Sequence, residues 1–289
     1  MQLIIEGGSS KADWLLIDSN YSERQRFSSK GFHPLFHSES DIVAMLSEDK
    51  HIPLIAHHSG SIHYYGAGCS APALRVQVSS ALKSLFPKAA IYVGHDLEAA
   101  AYATYHGVPE IACILGTGSN ACLFDGKEIS QLRPSLGYIL GDEGSGGYFG
   151  QKLLRAFLYG ILPQELEADF RKDYESDRGA ILKHIYAEPH ANVYFARFTY
   201  FLAKHSGHPF VEAMLEEGFT AFLDAHVSAY PRGNFQEVNF VGSVAWIFKD
   251  HLELAAKKKD IRIGHILRRP IDGLVGFHKK FPELVPQAF

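Results

Sequence analysis

Two distant stretches of this sequence share one layout. The first, LIIEGGSSKADWLLID at 3–18, sets two glycines and two serines between apolar runs, and EIACILGTGSNACLFDGKEI at 110–129 repeats the arrangement. Laid over one another, Ile4, Ile5, Gly8 and Ser9 fall on Ile114, Leu115, Gly118 and Ser119. A strand, a glycine-rich turn and a second strand, met twice at this separation, predict an internal duplication at domain scale. The fold class expected is α/β, with two lobes that each open on a hairpin and face each other across a cleft.

The remaining pattern supports alternation. IHYYGAG and AIYVGHD read as strands, SAPALRVQVSSALKSLF has helical spacing and stops before Pro87, and LEAAAYATYHG reads as a small-residue helix closed by Gly107 at its C-cap. After the second hairpin the chain turns mostly helical, from SGGYFGQKLLRAFLYGIL to FTAFLDAHVSAY. It then supplies one more buried strand, EVNFVGSVAWIF, with Gly242 and Ser243 at its end, and closes on the amphipathic IDGLVGFHKKF.

Composition narrows the class. With 289 residues, 46% hydrophobic and 21% charged, the chain can fill two cores of ordinary size. No run of 18 apolar residues and no basic, apolar, small-residue leader pattern is visible, so no membrane partner and a cytoplasmic location are expected. Cys69, Cys113 and Cys122 have no metal-binding spacing and read as reduced core thiols. A net charge of −4 without a dense basic stripe argues against nucleic acid, and KKK at 257–259 reads as a solvated helix end.

Glycine has no Cβ to hold an anion away, and consecutive N–H groups in a turn form an anion-binding concavity. Each hairpin is therefore either a tight turn or a phosphate cradle, and two matched hairpins favour a grip on a polyphosphate.

Five segments in order, IIEGGSSKADWLLID, VGHDLEAAAYA, ILGTGSNACLF, GYILGDEGSGGYFG and VNFVGSVAWIF, resemble the phosphate-1, connect-1, phosphate-2, sugar-site and adenosine segments of the N-acetylglucosamine kinase family. That family is grouped with the BadF/BadG-type ATPases (benzoyl-CoA-reductase type) in the actin, hexokinase and sugar kinase superfamily. The resemblance implies two ribonuclease-H-like lobes. These are 1–108, rejoined by a C-terminal helix at 271–289, and 109–270 with a helical insertion. It further implies ATP and Mg²⁺ as cofactors, a small amino sugar as substrate, a primary hydroxyl as acceptor, and a homodimer as one assembly option.

On that resemblance Asp96 is the general base, although an Asp at a strand end before a helix also suits an N-cap; the helix N-terminus is expected to favour its carboxylate form. His95 beside it reads as structural. Gly7, Gly8, Ser9, Ser10 and Lys11, with Gly116, Thr117, Gly118 and Ser119, are expected around the phosphates, and Gly242 and Ser243 at the nucleoside. Asn120, Asp142, Glu143 and His33 are expected at the sugar. Asp142 and Glu143, adjacent on a loop, should point apart, most simply with one facing the cleft and one capping the next helix; a helix-capping turn for both is the alternative.

Three residues depart from the family pattern. Glu6 stands where Asp is usual, His33 where Asn is usual, and Ser243 where a second glycine is usual. Glu6 is either a carboxylate on the Mg²⁺ side or a strand-end charge in solvent; His33 is either a bulkier sugar contact or a loop residue before Pro34. Two other functions fit the same fold: an ATPase that activates a radical dehydratase or reductase, and a weakly catalytic sugar-binding sensor. The first needs cysteines placed for an iron–sulfur cluster, which Cys113 and Cys122 on one hairpin do not suggest.

Overall fold

The computed structural model describes residues 1–8, 11–57 and 60–289, and in it both glycine-rich stretches are hairpins at the heart of five-stranded sheets. The chain divides into two units, residues 1–106 with 269–289, and residues 107–268. Unit 1 begins with β1 (Gln2–Gly7), β2 (Lys11–Ile17), β3 (Glu23–Lys30), α1 (Glu39–Ser47) and α2 (Ile52–Ile55). It continues through β4 (Ser61–Gly66), α3 (Pro72–Leu85), β5 (Ala90–His95) and α4 (Asp96–Thr104). Unit 2 opens with β6 (Glu110–Leu115), β7 (Ser119–Phe124) and β8 (Ile129–Ser130). Its helical part comprises α5 (Gly137–Leu140), α6 (Gly146–Leu158), α7 (Gln164–Asp173), α8 (Arg178–Tyr186), α9 (Ala191–Ala196), α10 (Thr199–Lys204) and α11 (Pro209–Phe222). It ends with β9 (Glu237–Val241), α12 (Ser243–Ile247), α13 (Lys249–Lys258) and β10 (Ile263–Leu267), after which α14 (Ile271–Lys280) belongs again to unit 1.

The two sheets have one topology. Unit 1 is ordered β3-β2-β1-β4-β5 and unit 2, read from its other edge, β8-β7-β6-β9-β10. In each, the first strand pairs antiparallel with the second and parallel with the fourth. The repeated topology is that of the expected duplication, and it is the ribonuclease-H-like arrangement that the family resemblance implies. Among the described residues no helix is long and apolar enough to cross a membrane.

Each sheet is stabilised by its own apolar cluster. In unit 1 Trp14 is fully buried, stacks on Phe27 with ring centroids 5.5 Å apart, and donates its indole N–H to Ser29 Oγ at 2.8 Å. The one polar atom of this large side chain is thus satisfied. In unit 2 Phe149, Phe170, Phe198, Phe201, Phe219 and Phe222 are all buried in one cluster against the sheet. Cys69, Cys113 and Cys122 are buried free thiols.

Four local expectations change. Gly107 does not cap α4: the helix ends at Thr104, whose hydroxyl donates to Ala100 O at 2.9 Å, and Tyr105 is already extended. Gly107 instead takes a φ of +98° in the link to unit 2. EVNFVGSVAWIF is not one strand, since β9 stops at Val241 and Ser243–Ile247 is helical. Two strands, β3 and β10, lie in segments not read as strands. Both are sheet edges, where one side of the strand faces no partner; charge dilutes the apolar alternation of β3, and glycine and histidine break the short apolar run of β10.

Candidate active site

Unit 1 concentrates carboxylates at the head of its central strands. Glu6 on β1 lies directly across the ladder from Asp13 on β2, so both side chains emerge on one face of the sheet. Asp13 is buried, with Lys11 Nζ at 2.7 Å and the Ser28 hydroxyl donating to it at 2.5 Å. Among the described residues Glu6 has no such support. Burial first, then the charges of Asp13 and Asp96, push its carboxyl up to about 7, against weaker opposition from Lys11 and Arg269. It is therefore not a strand-end charge in solvent.

Gly7, the last residue of β1, lies against the ring of Tyr64, and its carbonyl accepts from Ala67 N–H at 2.9 Å. Gly8 N–H donates to Lys11 O at 2.9 Å and closes the turn, while Ser9 and Ser10 lie outside the described residues. His33 lies over the Gly68 backbone and accepts from Leu35 N–H at 3.3 Å, holding the turn that follows Phe32.

Asp96 is the first residue of α4, one place past the cap. The N-cap is His95: its Nδ1 accepts from Leu97 N–H at 3.4 Å, and its own N–H donates to Glu98 Oε1 at 3.0 Å, a reciprocal capping box. The N-cap role considered for Asp96 is thus taken by its neighbour. Glu98 is in turn held by Arg75 at 3.0 Å and by the Tyr92 hydroxyl.

His95 Nδ1 also stands 3.1 Å from Asp96 Oδ1, but a nitrogen that accepts from Leu97 has no proton to give, and Asp96 Oδ1 is buried without a hydrogen-bond partner. The carboxyl is pushed up by burial, which outweighs the help of His95 and the Leu97 backbone. This corrects the expectation that the helix terminus alone would favour the charged form: desolvation wins. Among the described residues no group of three or more His, Cys, Asp or Glu could cage a metal ion. A cation served by one or two carboxylates and otherwise by water and phosphate, as Mg²⁺ is, fits Glu6 and Asp13, whose mutual repulsion it would relieve.

Unit 2 presents the second turn. Gly116 N–H donates to Gly118 O at 3.0 Å, while Gly146 and Gly147 at the start of α6 donate to Gly116 O (2.8 Å) and Thr117 O (3.0 Å). The helix thus ties down the turn's carbonyls. The N–H groups of Thr117 and Gly118 have no partner among the described residues, and the Ser119 hydroxyl is buried and unpartnered. A Cβ on Gly116 would meet nothing within 4 Å. Unpaired donors around open space fit an anion. Asn120 Oδ1 accepts from Ala121 N–H at 3.0 Å and from the Gln131 amide at 2.5 Å.

Asp142 and Glu143 do point apart. Asp142 is buried at a left-handed φ of +58°, and its Oδ1 accepts from Ser119 N–H and from the Ser135 hydroxyl, each at 3.3 Å. It braces the glycine-rich turn from behind. Glu143 Oε2 stands 3.7 Å from Nε2 of His226, a buried residue that motif reading missed. Its signal was present: His226 follows Phe222 by four, which puts a histidine on the apolar face of a helix. Neither acid caps α6; Ser145 does, accepting from Tyr148 N–H at 3.1 Å.

Gly242 ends the site. At φ +122° it lies so close to β6 that a Cβ would fall 2.3 Å from Leu115 O, while Ser243 is exposed at the start of α12.

No family model matches the chain, and no curated protein does. Among solved structures it is similar to a candidate N-acetylglucosamine kinase from Porphyromonas gingivalis, at 35% identity and a TM-score of 0.91, over 98% of this chain and 100% of that one. A candidate N-acetylglucosamine kinase from Chromobacterium violaceum aligns at 15% identity and TM-score 0.70, covering 96% and 98% of the two chains. A ROK family glucokinase from Streptomyces griseus, solved with glucose and AMPPNP, aligns at 15% and 0.57, covering 96% and 97%. The last two similarities are of fold.

Proposed function

The chain belongs to the N-acetylglucosamine kinase-like family of the sugar kinase superfamily, and from that premise we propose that it transfers the γ-phosphoryl group of ATP to the primary hydroxyl of N-acetylglucosamine or a closely related hexosamine. The observation that carries this reading is the Gly116–Ser119 turn. Its carbonyls are tied to α6, while the N–H groups of Thr117 and Gly118 and the buried Ser119 hydroxyl are left for an anion.

Asp96 removes the proton of the attacking hydroxyl. A carboxyl held above its usual range by burial is a better base near neutrality than a solvated one, and its unpartnered Oδ1 has an acceptor position to offer. The sugar oxygen bonds to the γ-phosphorus as the bond to the bridging oxygen breaks; ADP leaves and Asp96 carries the proton. Donors from the 116–119 turn stabilise the charge spread over the phosphoryl oxygens.

Mg²⁺, when bound, supplies countercharge to the phosphates; Glu6 and Asp13 are the residues that would hold it. Asn120 and Glu143 contact the sugar. Asp142 joins them, since a carboxylate accepts more bonds than the two on its Oδ1. Gly242 and Ser243 lie along the nucleoside, and His33 lies at the N-acetyl side. The BadF/BadG grouping belongs to this same reading.

The test is ADP release, coupled to a spectrophotometric readout, across N-acetylglucosamine, N-acetylmannosamine, glucosamine, N-acetylmuramic acid and glucose. Sugar-dependent release strongest with N-acetylglucosamine is expected. ATP hydrolysis indifferent to every sugar would overturn the assignment and favour the activator ATPase.

A further inference from the structure

Helix α11 does not finish as an α-helix. Over Leu223–Val227 the ladder widens into a single π turn, closed by Ser228 N–H donating to Leu223 O at 2.8 Å. Isolated π turns recur at functional sites, because the extra residue re-aims the side chains that follow. This turn carries His226, 5% exposed and stacked on Phe222 with centroids 5.1 Å apart.

The two ring nitrogens have different surroundings. Nε2 faces Glu143 Oε2 at 3.7 Å, whereas Nδ1 is buried with no hydrogen-bond partner. A charged ring would need an acceptor at both nitrogens. Burial also holds the ring below its usual pKa, with Glu143 opposing and Arg133 assisting. The ring is therefore neutral near pH 7, and the carboxylate opposite Nε2 assigns the proton to that nitrogen. The separation is too long for a direct hydrogen bond, and contacts of this kind tighten when substrate settles in a site.

We infer that His226 is a positioning residue, which through Nε2–H holds the Glu143 carboxylate in the orientation that meets the sugar. The inference rests on the sugar-kinase reading for what Glu143 does, but the contact itself stands on the geometry of unit 2. A histidine present only to fill space would be replaceable by an aromatic ring of similar size. One that aims a carboxylate would not be.

The experiment compares His226→Phe, which keeps the ring stack, with His226→Gln, which keeps an N–H donor, each alone and with Glu143→Gln. Thermal melts verify that each variant folds. His226→Phe should raise the sugar KM about tenfold with little change in the ATP KM, and His226→Gln should recover most of the loss. In the Glu143→Gln background His226→Phe should add nothing further. Equal shifts in both KM values, or full additivity of the two changes, would overturn the inference. A second readout needs no activity. Nitrogen-15 spectra of the imidazole should show an Nε2-protonated neutral ring whose shifts move on Glu143→Gln. An Nδ1-protonated ring, or shifts indifferent to Glu143, would overturn the inference even in an active kinase. A parent inert toward every sugar but with the expected ring would instead overturn the kinase reading and leave the positioning contact standing.

Discussion

Single side chains carry the sharpest expectations. Asp96→Asn keeps the shape of the residue and removes the proposed base, so it should lower phosphoryl transfer at least ~10²-fold, the scale of a positioned general base. Sugar affinity by calorimetry should stay within about threefold, since the change acts on the transition state. Near-normal turnover would move the base to another carboxylate, Asp142 first. Glu6 makes a stability prediction whose sign is fixed by linkage. Its folded pKa of about 7 stands above the ordinary 4.5, so folding takes up a proton between those values. The contribution is full below pH 4.5 and is lost as pH rises through 7. Glu6→Gln should therefore raise Tm at pH 8 by about 2 °C or more, and change it little at pH 4.5. Melting curves without added Mg²⁺ measure this, and an equal shift at both pH values would show that Glu6 is not held protonated.

At the scale of elements, the two glycines beside β6 should fail in different ways. Gly116→Ala places a methyl in open space at an ordinary backbone angle, so stability should change by no more than ~0.5 kcal/mol, while the ATP KM rises about tenfold as the methyl intrudes on the turn. Gly242→Ala forces a side chain onto Leu115 O at φ +122° and should cost roughly 1–3 kcal/mol in folding. Chemical denaturation with ATP titration separates the two, and the expectation fails if both variants lose only stability or only affinity.

What the sequence disclosed also sorts by element. Hairpins and central strands were legible because buried strands are continuous apolar runs closed by glycine, and the duplication doubled that signal. The edges β3 and β10 were not, since β3 is mostly polar and β10 is a five-residue run interrupted by glycine and histidine. The strand end and helix start around Asp96 were legible, but the capping role of His95 was not, because histidine is an uncommon cap. Asp13 and His226 went unnoticed for one shared reason. Each is a polar residue in an apolar element, and only the register of β1 on β2, or the π turn after α11, shows which group it faces.

On the scale of the whole molecule, unit 1 is built from both ends of the described chain. Helix α14 packs on α4 and β1. Buried His278 bonds Gln2 at 2.8 Å and the Tyr65 hydroxyl at 3.1 Å. Phe289 pairs its backbone with Ile91, N–H of Ile91 to O of Phe289 at 2.9 Å. Residues 107–268 expressed alone should melt cooperatively, whereas 1–106 alone should not, and joining 1–106 to 269–289 through a glycine-serine linker should restore its transition. Circular dichroism and calorimetry on the three fragments decide this; a cooperative 1–106 would show the returning segment to be dispensable.

That returning segment sets an order of events at the ribosome. Unit 2 emerges whole and can close its sheet while synthesis continues, but the sheet that carries Asp96 waits, with the apolar contact surface for α14 uncovered, until residues 269–289 leave the exit tunnel. The nascent chain thus completes the Gly116–Ser119 turn before the sheet that carries Asp96, and the half-made protein spends its vulnerable interval with the earlier-synthesised of the two units, not the later, in need of protection from aggregation.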